Sequence, residues 1–128
     1  MERKSIRVLW FSNTPSMAED LFKERVFSGG WIKSLEKELS HKNVNLGIAF
    51  YSNHNFNKIE KNNVVYYPII KNDNTKLKRL FYTYLKKYTY NYDYYKYTTI
   101  IDDFKPDVIH IHGTENPFGA LIDYTNIP

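Results

Sequence analysis

The stretch that decides the fold is FKPDVIHIHGTENPFGALID, residues 104–123, in which apolar residues alternate with histidines before Gly-Thr-Glu-Asn-Pro. Val108, His110 and His112 occupy alternate positions, so in a strand their side chains point to the same face. Turn residues follow, and Pro117 is suited to the first turn of a helix. The stretch therefore predicts a strand followed by a short helix, the repeating unit of α/β proteins.

The rest of the chain continues this alternation of strands and helices. Compact apolar runs predict three earlier strands, over residues 5–12, 44–52 and 63–70. The polar, Asn-rich residues 53–62 between the last two predict a loop. Helical spacing predicts helices over the segment that starts at Gly29-Gly30, over 76–89, and over a later piece with apolar positions Tyr97, Ile100, Ile101 and Phe104.

This order predicts a single α/β domain spanning residues 1–128, a Rossmann-like three-layer fold with a mainly parallel sheet. In the first helix, Trp31, Leu35 and Leu39 share one face and predict its buried side, whereas Lys33, Glu36, Lys37 and Glu38 lie off that face. Ser28 is a suitable N-cap for this helix.

The amino-acid composition excludes some classes of protein but does not indicate one function. The chain of 128 residues contains no cysteine, which excludes disulfides and thiolate metal sites and favours a reducing cytoplasm. No run approaches the ~20 apolar residues of a membrane-spanning helix. The net charge of +4 suits an anionic small molecule, a phospholipid surface or a nucleic acid.

The first candidate site is the segment that begins with Asn13 and Thr14 after the first strand and ends at Gly29-Gly30. It is long for a loop between a strand and a helix, which usually has about 2–6 residues. Glycines at a helix N-terminus allow a ligand to approach the backbone, and the free amides favour an anion. A tight turn into the helix would need glycine as well, so both interpretations stay open.

The second candidate site follows the fourth strand, at His112-Gly113-Thr114-Glu115. His110, in the middle of the strand, is expected to be a hydrogen-bonded core residue. His112, at the carboxyl end, is placed either to meet a ligand or to tether the loop. His41 and His54 have no matching short spacing, and no metal-binding motif is present, so we predict no metal.

The tyrosines are concentrated locally, because eight of the twelve fall between Tyr82 and Tyr97, among several lysines. Their helical spacing favours structural packing. A basic helix with aromatic residues also suits contact with a membrane surface or a lipid-linked substrate, and less well a nucleic acid.

Three motifs in order, IRVLWFSNTPS, GGWIKSLEKEL and FKPDVIHIHGTENPFGALI, resemble the amino-terminal domain of family-four retaining glycosyltransferases of the GT-B fold. Capsule and lipopolysaccharide sugar transferases are the most similar type. The resemblance implies a truncated amino-terminal half of a two-domain enzyme, in which a missing carboxyl-terminal domain binds most of the nucleotide-sugar donor.

The resemblance also implies roles for particular residues. Gly29 and Gly30 would approach the donor diphosphate or the transferred sugar. His112, Gly113, Thr114 and Glu115 would line the side of the cleft that holds a saccharide or lipid-linked acceptor, and Asn13 and Thr14 would also bind substrate. No catalytic residue and no cofactor is expected in this chain, nor transferase activity from it alone. Its expected location is the cytoplasm, at the inner face of the membrane, with no nucleic-acid partner.

A rival hypothesis is a stand-alone, non-catalytic α/β binding or response module. The first strand, SIRVLWFSN, lacks the acidic cluster expected of a receiver domain. The sequence leaves the donor sugar, the acceptor and the linkage undetermined.

Overall fold

The structure is a computed structural model that describes residues 4–22, 30–70, 94–113, 118–119, 121 and 125–128. In these ranges five strands form one sheet in the order β3-β4-β2-β1-β5. The strands are β1 Ile6–Ser12, β2 Val44–Ser52, β3 Ile59–Lys61, β4 Val64–Ile70 and β5 Val108–Ile111. The helices are α1 Glu19–Phe22, α2 Gly30–Leu39 and α3 Tyr94–Phe104, and a 3-10 turn at Ser16–Ala18 precedes α1.

The sheet is mixed but mostly parallel, as predicted. β1 lies between β2 and β5 and is parallel to both, and β2 is parallel to β4. β3 is antiparallel to β4 and lies within residues 53–62, where the sequence analysis predicted only a loop. Its turn explains the error: Asn62 and Asn63 both have positive φ, a conformation that asparagine tolerates and that joins antiparallel strands tightly.

Helices cover both faces of the sheet, which gives the three layers. On one face, Ile32 of α2 packs in a cluster with Trp10 and Ile48. On the other, Ile100 and Phe104 of α3 pack with Leu9, Phe11 and their neighbours. Consecutive residues of β1 thus enter opposite cores, as expected for a strand that is covered on both sides.

The buried face of α2 differs from the predicted one. Ile32 and Glu36 are buried and Leu35 and Leu39 are partly buried, whereas Trp31 is 60% exposed. The buried residues follow the 32, 35, 36, 39 spacing of a helix face. The prediction placed Glu36 off the buried face of the helix because of its charge. Its carboxyl group is nevertheless buried, and it accepts hydrogen bonds from a neighbouring loop.

Helix α3 matches its prediction, since Tyr97, Ile100 and Phe104 are buried and Ile101 is partly buried. Three other predictions concern residues outside the described ranges: the helix over 76–89, the N-cap at Ser28, and most of the short helix over 116–125. Of this last segment, Phe118 and Leu121 are described, and both are buried in the α3-side core.

The amino end of the sheet is held by Arg7. Its Nε donates to the carbonyl oxygens of Phe104 and Lys105 at 2.9 and 3.2 Å, which satisfies carbonyls at the end of α3. Its backbone N–H donates to Asp107 Oδ2 at 2.9 Å, and the N–H of Asp107 donates back to the Arg7 carbonyl. The α3–β5 turn is therefore fixed to β1 at the end of the sheet opposite the candidate site.

Candidate functional site

The candidate site lies where the order of the parallel strands reverses. From β1 the chain passes to β2 and β4 on one side, and β5 then pairs with the other side of β1. Helix α2, which follows β1, packs on one face of the sheet, whereas Phe118 and Leu121, which follow β5, are buried in the core on the opposite face. The chain therefore leaves β1 and β5 toward opposite faces. In open α/β sheets the crevice at the carboxyl ends of two such strands is the usual place for a ligand.

Immediately beyond β5, backbone geometry brings the two predicted loops together. The N–H of His112 donates to the Phe11 carbonyl at 2.8 Å, which extends the pairing with β1 by one residue. Gly113 follows with φ +92°, and a Cβ at this position would lie 3.2 Å from Asn13 Nδ2. Glycine therefore allows both the turn and the close approach of the two loops.

The start of the loop after β1 is shaped by its own hydroxyl groups. The Thr14 N–H donates to Ser12 Oγ at 3.2 Å, and the Ser16 N–H donates to Thr14 Oγ1 at 2.9 Å. Thr14, predicted to bind substrate, is only 2% exposed. Its side chain thus organises the loop, and Asn13 is the residue of this pair that lies next to Gly113.

Glu36 anchors this loop to α2, a role that the sequence analysis missed. Its Oε2 accepts from Ser16 Oγ at 2.5 Å and from the Met17 N–H at 3.0 Å, and its Oε1 accepts from the Tyr66 hydroxyl. Burial raises the pKa of Tyr66 above its ordinary value, and the bond to Glu36 and its charge raise that pKa further. The signal available in the sequence was the position of Glu36 four residues after Ile32, on the apolar stripe.

His112 is enclosed by the two tryptophans of the chain. Its ring lies 4.6 Å from Trp10 and 5.3 Å from Trp31, measured between centroids. Burial, and to a smaller extent the adjacent His110, lowers the pKa of His112 to about 4, so the imidazole is neutral at physiological pH. Its Nε2 atom is buried and has no hydrogen-bond partner within the described part of the chain.

His110 is exposed, so the prediction of a hydrogen-bonded core histidine was wrong. It does share a face with His112, as predicted, with 3.9 Å between the ring centroids. The error has a structural cause: the residues of α2 pack above β1, β2 and β4, and leave the same face of β5 open. Val108, two residues earlier on this face, is 37% exposed for the same reason.

Gly30 begins α2 and lies beside Trp31. A Cβ at Gly30 would meet no atom within 4 Å, so this glycine borders open space and is not required by close packing. The first backbone amides of an α-helix lack intrahelical acceptors, which makes this end a place for hydrogen-bond acceptors of a ligand. Gly29, Thr114 and Glu115, the remaining predicted site residues, lie outside the described ranges.

The crevice therefore combines predicted and unpredicted residues. Of the predicted ones, Asn13, His112 and Gly113 are brought together, and Gly30 joins them through its neighbour Trp31. Trp31 itself and His110 were missed as members of the site. A tryptophan directly after the Gly-Gly pair was the visible signal, but it was assigned to the core.

Two further properties of the described residues bear on the kind of ligand. His110 and His112 supply two imidazoles, but no group of three or more metal-ligating side chains occurs in the parts of the chain that the structure covers. Within the same parts, no helix has the length and apolar character needed to cross a membrane.

The chain was compared with protein-family models, with curated proteins and with solved structures, and none of the three comparisons found a match.

Proposed function

We propose that this chain is the acceptor-side, Rossmann-like domain of a retaining glycosyltransferase of the GT-B type. The parent enzyme would transfer a hexose-type sugar from a nucleotide-sugar donor to a saccharide or lipid-linked acceptor in cell-surface polysaccharide assembly. This chain would hold the acceptor, and most of the donor would bind to a second domain.

The observation that carries the proposal is the convergence of the three resembling motifs at one place. The motif IRVLWFSNTPS contributes Asn13, GGWIKSLEKEL contributes Gly30 and Trp31, and the last motif contributes His112 and Gly113. These motifs are far apart in the chain, yet the parallel β1–β5 pairing and the contact of α2 with His112 bring them to one crevice. The parallel strand order β4-β2-β1-β5 matches the first four strands of the 3-2-1-4-5-6 order of Rossmann sheets, which supports the proposal.

The chemistry of the crevice supports a neutral acceptor more than a second phosphate site. Lys33, the lysine of the first turn of α2, pairs with Glu19 at 2.7 Å. His112 is neutral because burial lowers its pKa. Neutral rings, an amide side chain and backbone N–H groups are suited to sugar hydroxyls, which need hydrogen bonds and carry no charge.

The proposal is tested on the native protein, isolated from its source cells with an antibody against this chain. The isolated protein is incubated with nucleotide-hexoses and a saccharide extract of those cells, and the products are analysed by mass spectrometry and NMR. We expect addition of one sugar, with the anomeric configuration of the donor retained.

Two results would contradict the proposal. A native protein that binds saccharides but transfers none from any nucleotide-hexose would favour the stand-alone binding module. A native protein that neither binds saccharides nor transfers sugar would remove the basis of the proposed function altogether.

A further inference from the structure

Trp31 is exposed in an unusual setting. A single exposed apolar side chain needs no explanation, but the indole of Trp31 is 60% exposed and is continuous with two other rings. It lies 5.3 Å from His112, which in turn lies 3.9 Å from the exposed His110. Two exposed rings, Trp31 on α2 and His110 on β5, thus flank the buried ring of His112, which is 5% exposed, and we call these three rings the platform.

A buried residue of the core packs against the two histidines of the platform. Trp10 is 1% exposed and contacts both histidines edge to face, at 4.6 Å from His112 and 6.4 Å from His110. Edge-to-face contacts are a favoured arrangement of aromatic rings. The orientation of the two imidazoles is therefore determined by the core before any ligand arrives, which lowers the entropy cost of binding.

We infer that the platform of Trp31, His110 and His112 binds the acceptor through its two exposed rings, Trp31 and His110, which stack against the C–H face of a pyranose ring. The faces of aromatic rings carry partial negative charge, and the axial C–H bonds of a sugar carry partial positive charge. The inference rests on the proposed function and specifies its substrate: an uncharged sugar with an apolar face, presented on the α2 side of the crevice.

The inclination of the rings favours a sugar over a nucleobase. Trp31 is tilted 54° from His112, and His112 is tilted 35° from His110, so the three rings present no common plane. A flat base gains most by lying parallel to a ring. A pyranose chair has C–H bonds that point in several directions, and it can contact inclined rings at the same time.

The surroundings of the platform agree with a ligand of this kind. Gly30 borders open space next to Trp31, which leaves room for a ring substituent.

The test measures the affinity of the chain for methyl β-glycosides of glucose, galactose, N-acetylglucosamine and rhamnose by calorimetry, with uridine monophosphate as the nucleobase probe. We expect at least one glycoside to bind, and Trp31→Ala to weaken it about fivefold or more, the size of one aromatic contact. Trp31→Phe, which keeps a ring, should retain most of the affinity, and His110→Ala should reduce it.

Tyr95→Ala is the matched control, because Tyr95 is a 78% exposed aromatic residue on α3, away from the platform. Its affinity should equal that of the wild-type chain. Circular dichroism of every variant verifies folding, which Trp31→Ala should preserve because the removed ring is mostly exposed.

The outcomes separate this inference from the proposed function. If the wild-type chain binds a glycoside and Trp31→Ala binds it equally well, the inference that the platform binds the sugar is overturned, while the proposed acceptor role of the domain is retained. If uridine monophosphate alone binds and requires Trp31, the platform is a nucleobase site and the inference is overturned. If the wild-type chain binds no glycoside, both the inference and the acceptor role fail.

Discussion

The imidazole of His112 packs edge to face against the indole of Trp10, with 4.6 Å between ring centroids and 72° between ring planes. One ring belongs to the centre of the sheet and the other to the first residue beyond its edge strand. This contact buries a titratable group at the carboxyl end of β5 and joins the candidate site directly to the core. Stability and ligand binding are therefore expected to depend on some of the same side chains.

The buried His112 should make folding sensitive to mild acid. Its pKa is about 4 in the folded chain, against an ordinary value of 6.5, so the unfolded chain binds more protons between these pH values. The contribution of the neutral imidazole is complete above pH 6.5 and is lost as the pH falls toward 4. We expect a loss of about 2 kcal/mol between pH 7 and pH 5.

Urea denaturation at both pH values measures this loss, and His112→Phe supplies the comparison. The phenyl ring keeps the packing against Trp10 but does not titrate. The variant should lose clearly less stability than the wild-type chain over the same interval. Equal losses in the two proteins would show that His112 is not the group responsible.

Glu36 should be essential to the loop after β1. Glu36→Ala removes the acceptor of the Ser16 and Tyr66 hydroxyls and of the Met17 N–H, and leaves buried donors without partners. We expect a loss of about 2–4 kcal/mol in the free energy of unfolding, measured by urea denaturation.

Glu38→Ala is the matched control for this change, because Glu38 is an exposed glutamate on the same helix. It should alter stability by less than about 0.5 kcal/mol. Tyr66→Phe removes one of the three bonds and should cost about 1 kcal/mol. If Glu36→Ala lowered the free energy of unfolding as little as Glu38→Ala, the hydrogen bonds of Glu36 would not anchor the loop in solution.

Substitution by alanine should lower stability at one glycine and leave it nearly unchanged at another. A Cβ at Gly47 would lie 3.0 Å from two ring atoms of Phe104 and 3.1 Å from Leu9 Cδ1. Gly47→Ala should therefore cost about 1–3 kcal/mol by overpacking. Gly30→Ala meets no neighbour and should change stability little. Thermal unfolding of both variants tests the packing of α3 on the sheet, and comparable stability of the two would contradict it.

Substitution of Gly113 by alanine should also lower stability, but for a different reason. Its φ of +92° is costly for any residue with a Cβ, and a Cβ there would crowd the Asn13 side chain. Gly113→Ala should cost about 1–2 kcal/mol and displace Asn13 in the crevice. Glycoside affinity should fall in this variant but not in Tyr95→Ala. Unchanged glycoside affinity in Gly113→Ala would show that the Asn13–Gly113 contact does not contribute to binding.

Four of the five strands, and α3, could be predicted because their apolar patterns are set by local sequence. Residues 44–52 and the Tyr97, Ile100, Phe104 spacing needed no knowledge of distant contacts. The same holds for the placement of His110 and His112 on one face. β3 could not be recognised, since a three-residue polar strand depends on its antiparallel partner and on the paired asparagines of its turn.

The errors at the site have a common physical origin in tertiary contacts. Glu36 is buried because Ser16, Met17 and Tyr66 supply donors from two other elements, which no local pattern reveals. His110 is exposed because α2 does not extend over β5, and Trp31 is exposed because it falls beside the stripe that faces the sheet. The charge of Glu36, the hydrophobicity of Trp31 and the mid-strand position of His110 had predicted the opposite for these residues.

The measurement that tests the central claim most directly is amide NMR mapping of the ¹⁵N-labelled chain during titration with the methyl glycosides. We expect saturable shifts of the Trp31 indole N–H and of the backbone amides of Asn13, Gly30, Trp31, His112 and Gly113. Resonances at the opposite end of the sheet, around Arg7 and Asp107, should stay unchanged. Saturable shifts confined to that opposite end, or no shifts with any glycoside, would contradict a saccharide site in the β1–β5 crevice.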